Sequence, residues 1–155
     1  MSASKIRIAK DKADWVKTLT ISKETTGPFQ TYADVLVFAA ALGAKSNKRV
    51  PLGTISTKEP APISLEIFVS RGYDLMIKLL AIAQIKDPKI LSSYDPTAEE
   101  QRILIFEEYA NGGLEKLHDE LRGAVDYSER LLLVLSNARF KEELITEEFD
   151  LSRFL

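Results

Sequence analysis

The sequence predicts a mainly α-helical fold, a compact bundle of about four to six helices with a short N-terminal strand. Three features carry that expectation: apolar residues recur at helical spacing, capping residues stand ahead of those runs, and glycine or proline closes them. The 155 residues suit one domain, and 45% hydrophobic with 28% charged content is that of a chain able to bury a core.

The elements begin with "KIRIA", where Lys5, Ile6, Arg7 and Ile8 alternate polar and apolar as a short strand does. Asp11 is placed to cap a helix running to about Leu19, with Trp15 and Leu19 four residues apart on one face. Gly27 and Pro28 in "TTGPF" close it. Thr31 then caps a second helix: its side chain can accept from the backbone near Asp34, and the Asp34 carboxylate suits the positive helix end. From Val35 to Leu42 this helix has no polar face, so it requires burial on several sides. Gly43 is expected to stop it in a left-handed conformation, ahead of a loop displaying Lys45, Lys48 and Arg49.

Pro60 and Pro62 mark an extended connector. "SLEIFVSRG" reads as a short helix ended by Gly72. "YDLMIKLLAIAQIK" is a clearer helix, with Leu75, Leu79 and Ile82 on one stripe and Met76, Leu80 and Ala83 beside it, a packing pattern rather than a cofactor box. Pro88 bounds it. Thr97 with Glu100 reads as a capping box ahead of Ile103, Phe106 and Ala110. Asn111, Gly112 and Gly113 are expected to end or bend that helix, since two glycines remove about 2 kcal/mol of helix preference relative to alanine. Leu114, Leu117 and Leu121 resume the period, and Asp126 with Glu129 caps a last helix in "RLLLVLSNARF".

Residues 1–140 are read as one helical domain, basic over 1–60 and acidic over 61–140, followed by an acidic amphipathic tail over 141–155. Residues 1–60 carry ten Lys and Arg against five Asp and Glu; residues 61–155 carry eleven against eighteen. Such asymmetry marks either an anion-binding half and an acidic docking half or an ordinary uneven surface. In the tail, Leu144, Ile145, Phe149, Leu151 and Phe154 either pack back on the domain or dock a partner. The first residues lack the apolar run of a signal peptide, and no stretch approaches the roughly 20 apolar residues that span a bilayer. The expectation is a cytoplasmic protein without a membrane partner.

Catalytic chemistry finds little footing. Without cysteine there are no thiol nucleophiles, disulfides or thiolate metal sites. The single His118 excludes multi-histidine metal sites, and its neighbour Asp119 points elsewhere on a helix, so a surface histidine is expected. The patterns GxGxxG, GxxxxGK[ST] and GxSxG do not occur. Glu99 with Glu100, Glu107 with Glu108, Glu142 with Glu143 and Glu147 with Glu148 are consecutive pairs, the pattern of a solvated helix face. A non-enzyme is expected, with no metal and no cofactor; a cryptic nuclease is the least favoured alternative.

Seven cations form a candidate nucleic-acid surface. Lys45, Lys48 and Arg49 in the loop join Lys5, Arg7, Lys10 and Lys12 if the N-terminal segment lies alongside. The negative end of the preceding helix accounts for Lys45 but not for Lys48 and Arg49. If those charges are solvated, reversing all three leaves the melting temperature nearly unchanged. Strand followed by two helices is also similar in order to ribbon-helix-helix DNA binders, in which a paired strand reads a groove.

Longer stretches point to one family. "IRIAKDK", "FQTYADVLVFAAALG", "KRVPL", "ISLEIFVSRGYD", "LLAIAQIKDPKIL" and "IFEEYANGGLEKLHDELRGAVDY" resemble the small accessory proteins associated with DNA phosphorothioation, or dnd, gene clusters, over roughly Lys5 to Leu135. Such clusters replace a non-bridging phosphate oxygen of DNA with sulfur and often pair that mark with restriction of unmarked DNA. The resemblance implies a prokaryotic modification or antiviral defence role, with duplex DNA or another component of the machinery as partner. It brings no catalytic motif. The expected function is a non-catalytic accessory factor binding DNA, a partner protein or both, with a homo-oligomer also open. The alternative is a DNA-independent protein-interaction scaffold.

Overall fold

The computed structural model describes residues 4–139. They fall into two compact units, the first ending at His118 and the second beginning at Asp119. The tail over 141–155, with its proposed docking residues Leu144, Ile145, Phe149, Leu151 and Phe154, lies outside the described residues. Helices dominate, as the periodicity predicts.

In the first unit, strand β1 (Lys5–Ile6) pairs antiparallel with β2 (Ile63–Ser64), Lys5 opposite Ser64 and Ile6 opposite Ile63. The ribbon is thus completed within the chain, unlike an N-terminal strand left open for pairing. A 3-10 turn at Lys10–Lys12 leads into α1 (Ala13–Leu19). Asp11 sits inside that turn and makes no side-chain cap, correcting its assignment as the start of a longer helix.

Helix α2 (Tyr32–Lys45) begins as expected, with Thr31 Oγ1 accepting the Asp34 N–H at 3.2 Å. It does not stop at Gly43. It runs two residues further, and Asn47 takes the left-handed conformation at φ 51°. Ser64 caps α3 (Leu65–Ser70), which gives way to a turn with Gly72 at φ 79°, and α4 (Asp74–Ile85) follows. In α4 the buried residues are Ile77 and Ala81, while Leu75 and Leu79 stand exposed. A helix apolar on several faces carries no periodic signal for which face turns inward.

Helix α5 (Pro96–Glu120) is the longest. Asp95 caps it rather than Thr97, accepting the Thr97 N–H at 3.0 Å, and Pro96 occupies the first turn, where its missing N–H costs nothing. Buried Arg102 anchors the preceding 3-10 turn (Pro88–Leu91) by donating to the carbonyls of Ile90 at 2.7 Å and Ser92 at 2.9 Å. The core of this unit centres on Phe68 and Phe106, both fully buried and packed edge to face at 5.7 Å. In the second unit, residues 127–139 are helical and Asp126 accepts the Glu129 N–H at 3.1 Å, the cap that the sequence predicts.

Asn111, Gly112 and Gly113 neither end nor interrupt α5; all three are buried within it. The glycines serve close approach instead. A Cβ on Gly113 would land on the Ala39 carbonyl, one on Gly43 would land on the Tyr109 carbonyl, and one on Gly112 would land on the Lys48 carbonyl. Helices α2 and α5 therefore meet backbone to backbone. An ordinary helical Gly→Ala change gains about 1 kcal/mol from propensity. Gly113→Ala is expected to reverse that sign and cost about 1–3 kcal/mol, because the obstructing atom is backbone in a packed helix. Urea denaturation of the two proteins measures this directly.

Candidate functional site

Continuing as helix past its glycines, α5 places Glu108, Asn111, Gly112 and Glu115 at i, i+3, i+4 and i+7, on one face. The loop after α2 lies on that face. The Val50 N–H donates to the Glu108 carbonyl at 3.0 Å, and Asn111 Nδ2 donates to the carbonyls of Val50 at 3.3 Å and Pro51 at 3.1 Å. Gly112 makes room for the Lys48 carbonyl. Once the loop backbone is seated, its cations meet carboxylates: Arg49 Nε donates to Glu108 at 2.7 Å, and Lys48 Nζ lies 3.1 Å from Glu115.

The N-terminal cations converge on the same helix. Lys12 Nζ reaches Glu115 at 3.3 Å and Asp11 at 3.2 Å, with its own side chain only 11% exposed. Glu107 has a fully buried side chain and accepts from Arg7 three ways: backbone N–H at 2.6 Å, Nε at 3.0 Å and Nη2 at 2.8 Å. That hydrogen bonding raises the guanidinium's already high pKa. Glu107 is therefore not part of a solvated carboxylate pair. A buried carboxylate persists only when paired and hydrogen-bonded, so Arg7 is a structural counter-ion.

Of the seven candidate cations, Arg7, Lys12, Lys48 and Arg49 are thus paired with carboxylates of α5. The structure brings the loop and the N-terminal segment onto one helix. It pairs four of the seven with carboxylates, only Lys12 being buried. His118 is exposed, with its ring edge-on to Trp15 at 5.2 Å. Among the described residues, no three His, Asp or Glu side chains converge as a metal ligand set.

Another charged cluster joins α2 to the turn between α3 and α4. Asp34 accepts from Tyr73 Oη at 2.5 Å and Arg71 Nη1 at 3.1 Å. Burial pushes its pKa up, but bonds from Tyr73 and Thr31 and the Arg71 charge outweigh that and hold it below the ordinary carboxylate value. Glu115 is lowered likewise: burial opposes, while Lys48 and Lys12 prevail.

The surface has a different character around α3 and α4. Ile67, Val69, Leu75, Leu79 and Ile85 are between 41% and 62% exposed. Sequence periodicity read Leu75 and Leu79 as packing positions, so their exposure was missed; its signal was an apolar pattern too wide for one buried stripe. The carboxylates of Glu107, Glu108 and Glu115 were missed as partners because spacing on one helix does not name what lies opposite.

Fold and site together define a small helical protein whose longest helix gathers cations from the N-terminal half of the chain. The chain belongs to the family described as DNA sulphur modification system-associated protein 4, whose family model matches residues 5–154. It is therefore an accessory protein of dnd clusters. No curated protein and no solved structure matches the chain. No helix among the described residues is long and apolar enough to cross a membrane.

Two outcomes follow from the ion pairs. Arg49→Glu places like charges where the 2.7 Å bond now stands and is expected to lower stability by about 1 kcal/mol, with partial recovery on adding Glu108→Arg, as read by a double-mutant denaturation cycle. The depressed carboxylates set an acid limit. Their contribution is present above the ordinary Asp and Glu values, near pH 4, and is lost as pH falls through the lower folded values. The melting temperature should fall steadily below about pH 4, and Asp34→Asn with Glu115→Gln should reduce neutral stability while flattening that acid slope.

Proposed function

We propose that this chain serves DNA sulphur modification systems as a non-catalytic adaptor that docks another protein of the system, without making duplex DNA its principal ligand. The exposed apolar face of α3 and α4 carries the reading. Leu75 and Leu79 lie one turn apart on α4, Ile67 and Val69 are on α3, and covering the exposed half of any such side chain contributes about 1 kcal/mol to an interface. Clustered exposed apolar side chains on a small protein favour an interaction surface, and Leu75 with Leu79 share one face of α4. Family membership supports a second component of the same machinery as the occupant.

The cation geometry supports protein over DNA. Phosphate binding needs cations free to release counterions, whereas Arg7, Lys12, Lys48 and Arg49 already face carboxylates at 2.7–3.3 Å. The non-catalytic part rests on the lack of cysteine, the single histidine and the engagement of Glu107, Glu108 and Glu115 in ion pairs.

The test is co-purification with the proteins encoded alongside this chain. Leu75→Glu with Leu79→Glu should leave the melting temperature within a few degrees of the parent, since both side chains are already solvated, and should abolish capture. Three results count against the reading: unchanged capture, a homodimer that the double variant splits, or duplex binding with a steep salt dependence that is lost on Lys5→Glu with Lys10→Glu.

A further inference from the structure

A small cavity in the first unit adjoins a buried polar atom for which the protein supplies no partner. It has a volume of about 10 Å³, lies where the N-terminal segment and the loop after α2 meet α5, and is lined by Arg7, Glu107 and Asn111 with Leu36, Leu52 and Leu114. Glu107 and Asn111 are four residues apart on α5, so their side chains are neighbours on one face of the helix.

Asn111 is 4% exposed, and its side-chain oxygen Oδ1 is fully buried without a hydrogen-bond partner from the protein. The other end of the amide fixes its orientation. Nδ2 donates to the carbonyls of Val50 and Pro51, and exchanging the two atoms would set an oxygen against both acceptors. With the nitrogen turned to the loop, the oxygen diverges from it and faces the cavity that Asn111 shares with Glu107. An acceptor buried there needs a donor, because folding has removed the water it would otherwise bond. The leucines have none to give. The ionised Glu107 has none either; it takes three donors from Arg7, while its two oxygens offer about four acceptor sites.

We infer that this cavity binds one water molecule, which donates one hydrogen to Asn111 Oδ1 and the other to the Glu107 carboxylate. The volume suits a single water, and the two acceptors supply the polar partners that separate a hydrated site from a dry apolar void. Arg7 lines the same cavity, and its guanidinium has more N–H groups than Glu107 accepts, which provides a donor for the water oxygen. That guanidinium charge also disfavours a metal ion between the two acceptors. The water completes a hydrogen-bonded chain from the loop carbonyls through Asn111 to Glu107 and on to Arg7. The two basic segments gathered by α5 are thereby joined to each other as well as to the helix.

The test is a crystal structure of the full chain at a resolution that shows ordered water, together with a count of long-lived internal waters by water-oxygen magnetic relaxation dispersion. A single density peak about 2.7–3.1 Å from both Asn111 Oδ1 and a Glu107 oxygen is expected. Leu52→Phe adds bulk at the cavity wall and leaves every polar partner in place, so it should remove that peak and lower the count of long-lived waters by one. Asn111→Leu should do the same, and if it fails to fold, Leu52→Phe carries the comparison. The inference is overturned if the parent structure shows no peak there, if the Asn111 amide is turned with Nδ2 toward the cavity, or if the count stays unchanged in every variant that folds. A peak with contacts of about 2.3–2.5 Å, the spacing of a bound metal ion, overturns it as well.

Discussion

The structure depends on the approach of two backbones at Asn111, Gly112 and Gly113. Without side chains at Gly43 and Gly113, the main chains of α2 and α5 come close enough for carbonyl oxygens to occupy the space a Cβ would take. Gly112 extends the same concession to the loop, and Asn111 holds that loop by two of its carbonyls. A residue pair that weakens an isolated helix by about 2 kcal/mol is retained inside the longest helix because close packing and satisfied backbone groups compensate for it.

The charge pattern follows from that contact. Seating the loop on α5 sets Lys48 and Arg49 opposite Glu115 and Glu108, and the N-terminal segment adds Lys12 and Arg7 against Glu115 and Glu107. The uneven distribution along the chain, basic then acidic, is largely neutralised within the first unit. The exposed pairs contribute little individually, but the fully buried Glu107 ties the N-terminal strand to α5 through three hydrogen bonds.

Apolar side chains also stand exposed on α3 and α4, among them Leu75 and Leu79. Under the proposed adaptor role they would supply apolar area, whose energy scales with what is buried and is indifferent to direction.

The helical class, the Thr31 cap and the Asp126 cap were legible in the sequence because each depends on residues within a few positions of one another. So was the burial of α2, since eight consecutive apolar or small residues leave no face for water. Family resemblance was equally a property of local strings. What the sequence did not contain was any statement of what faces what. Gly43 and the paired glycines read as helix stops because their local effect is destabilising, and only packing between distant segments turns them into contact points. Leu75 and Leu79 read as packing residues because spacing records a face without its direction. The cations of the loop read as a phosphate surface because Glu108 and Glu115 lie some sixty residues away, and charge pairing at 3 Å is a fact of tertiary structure alone.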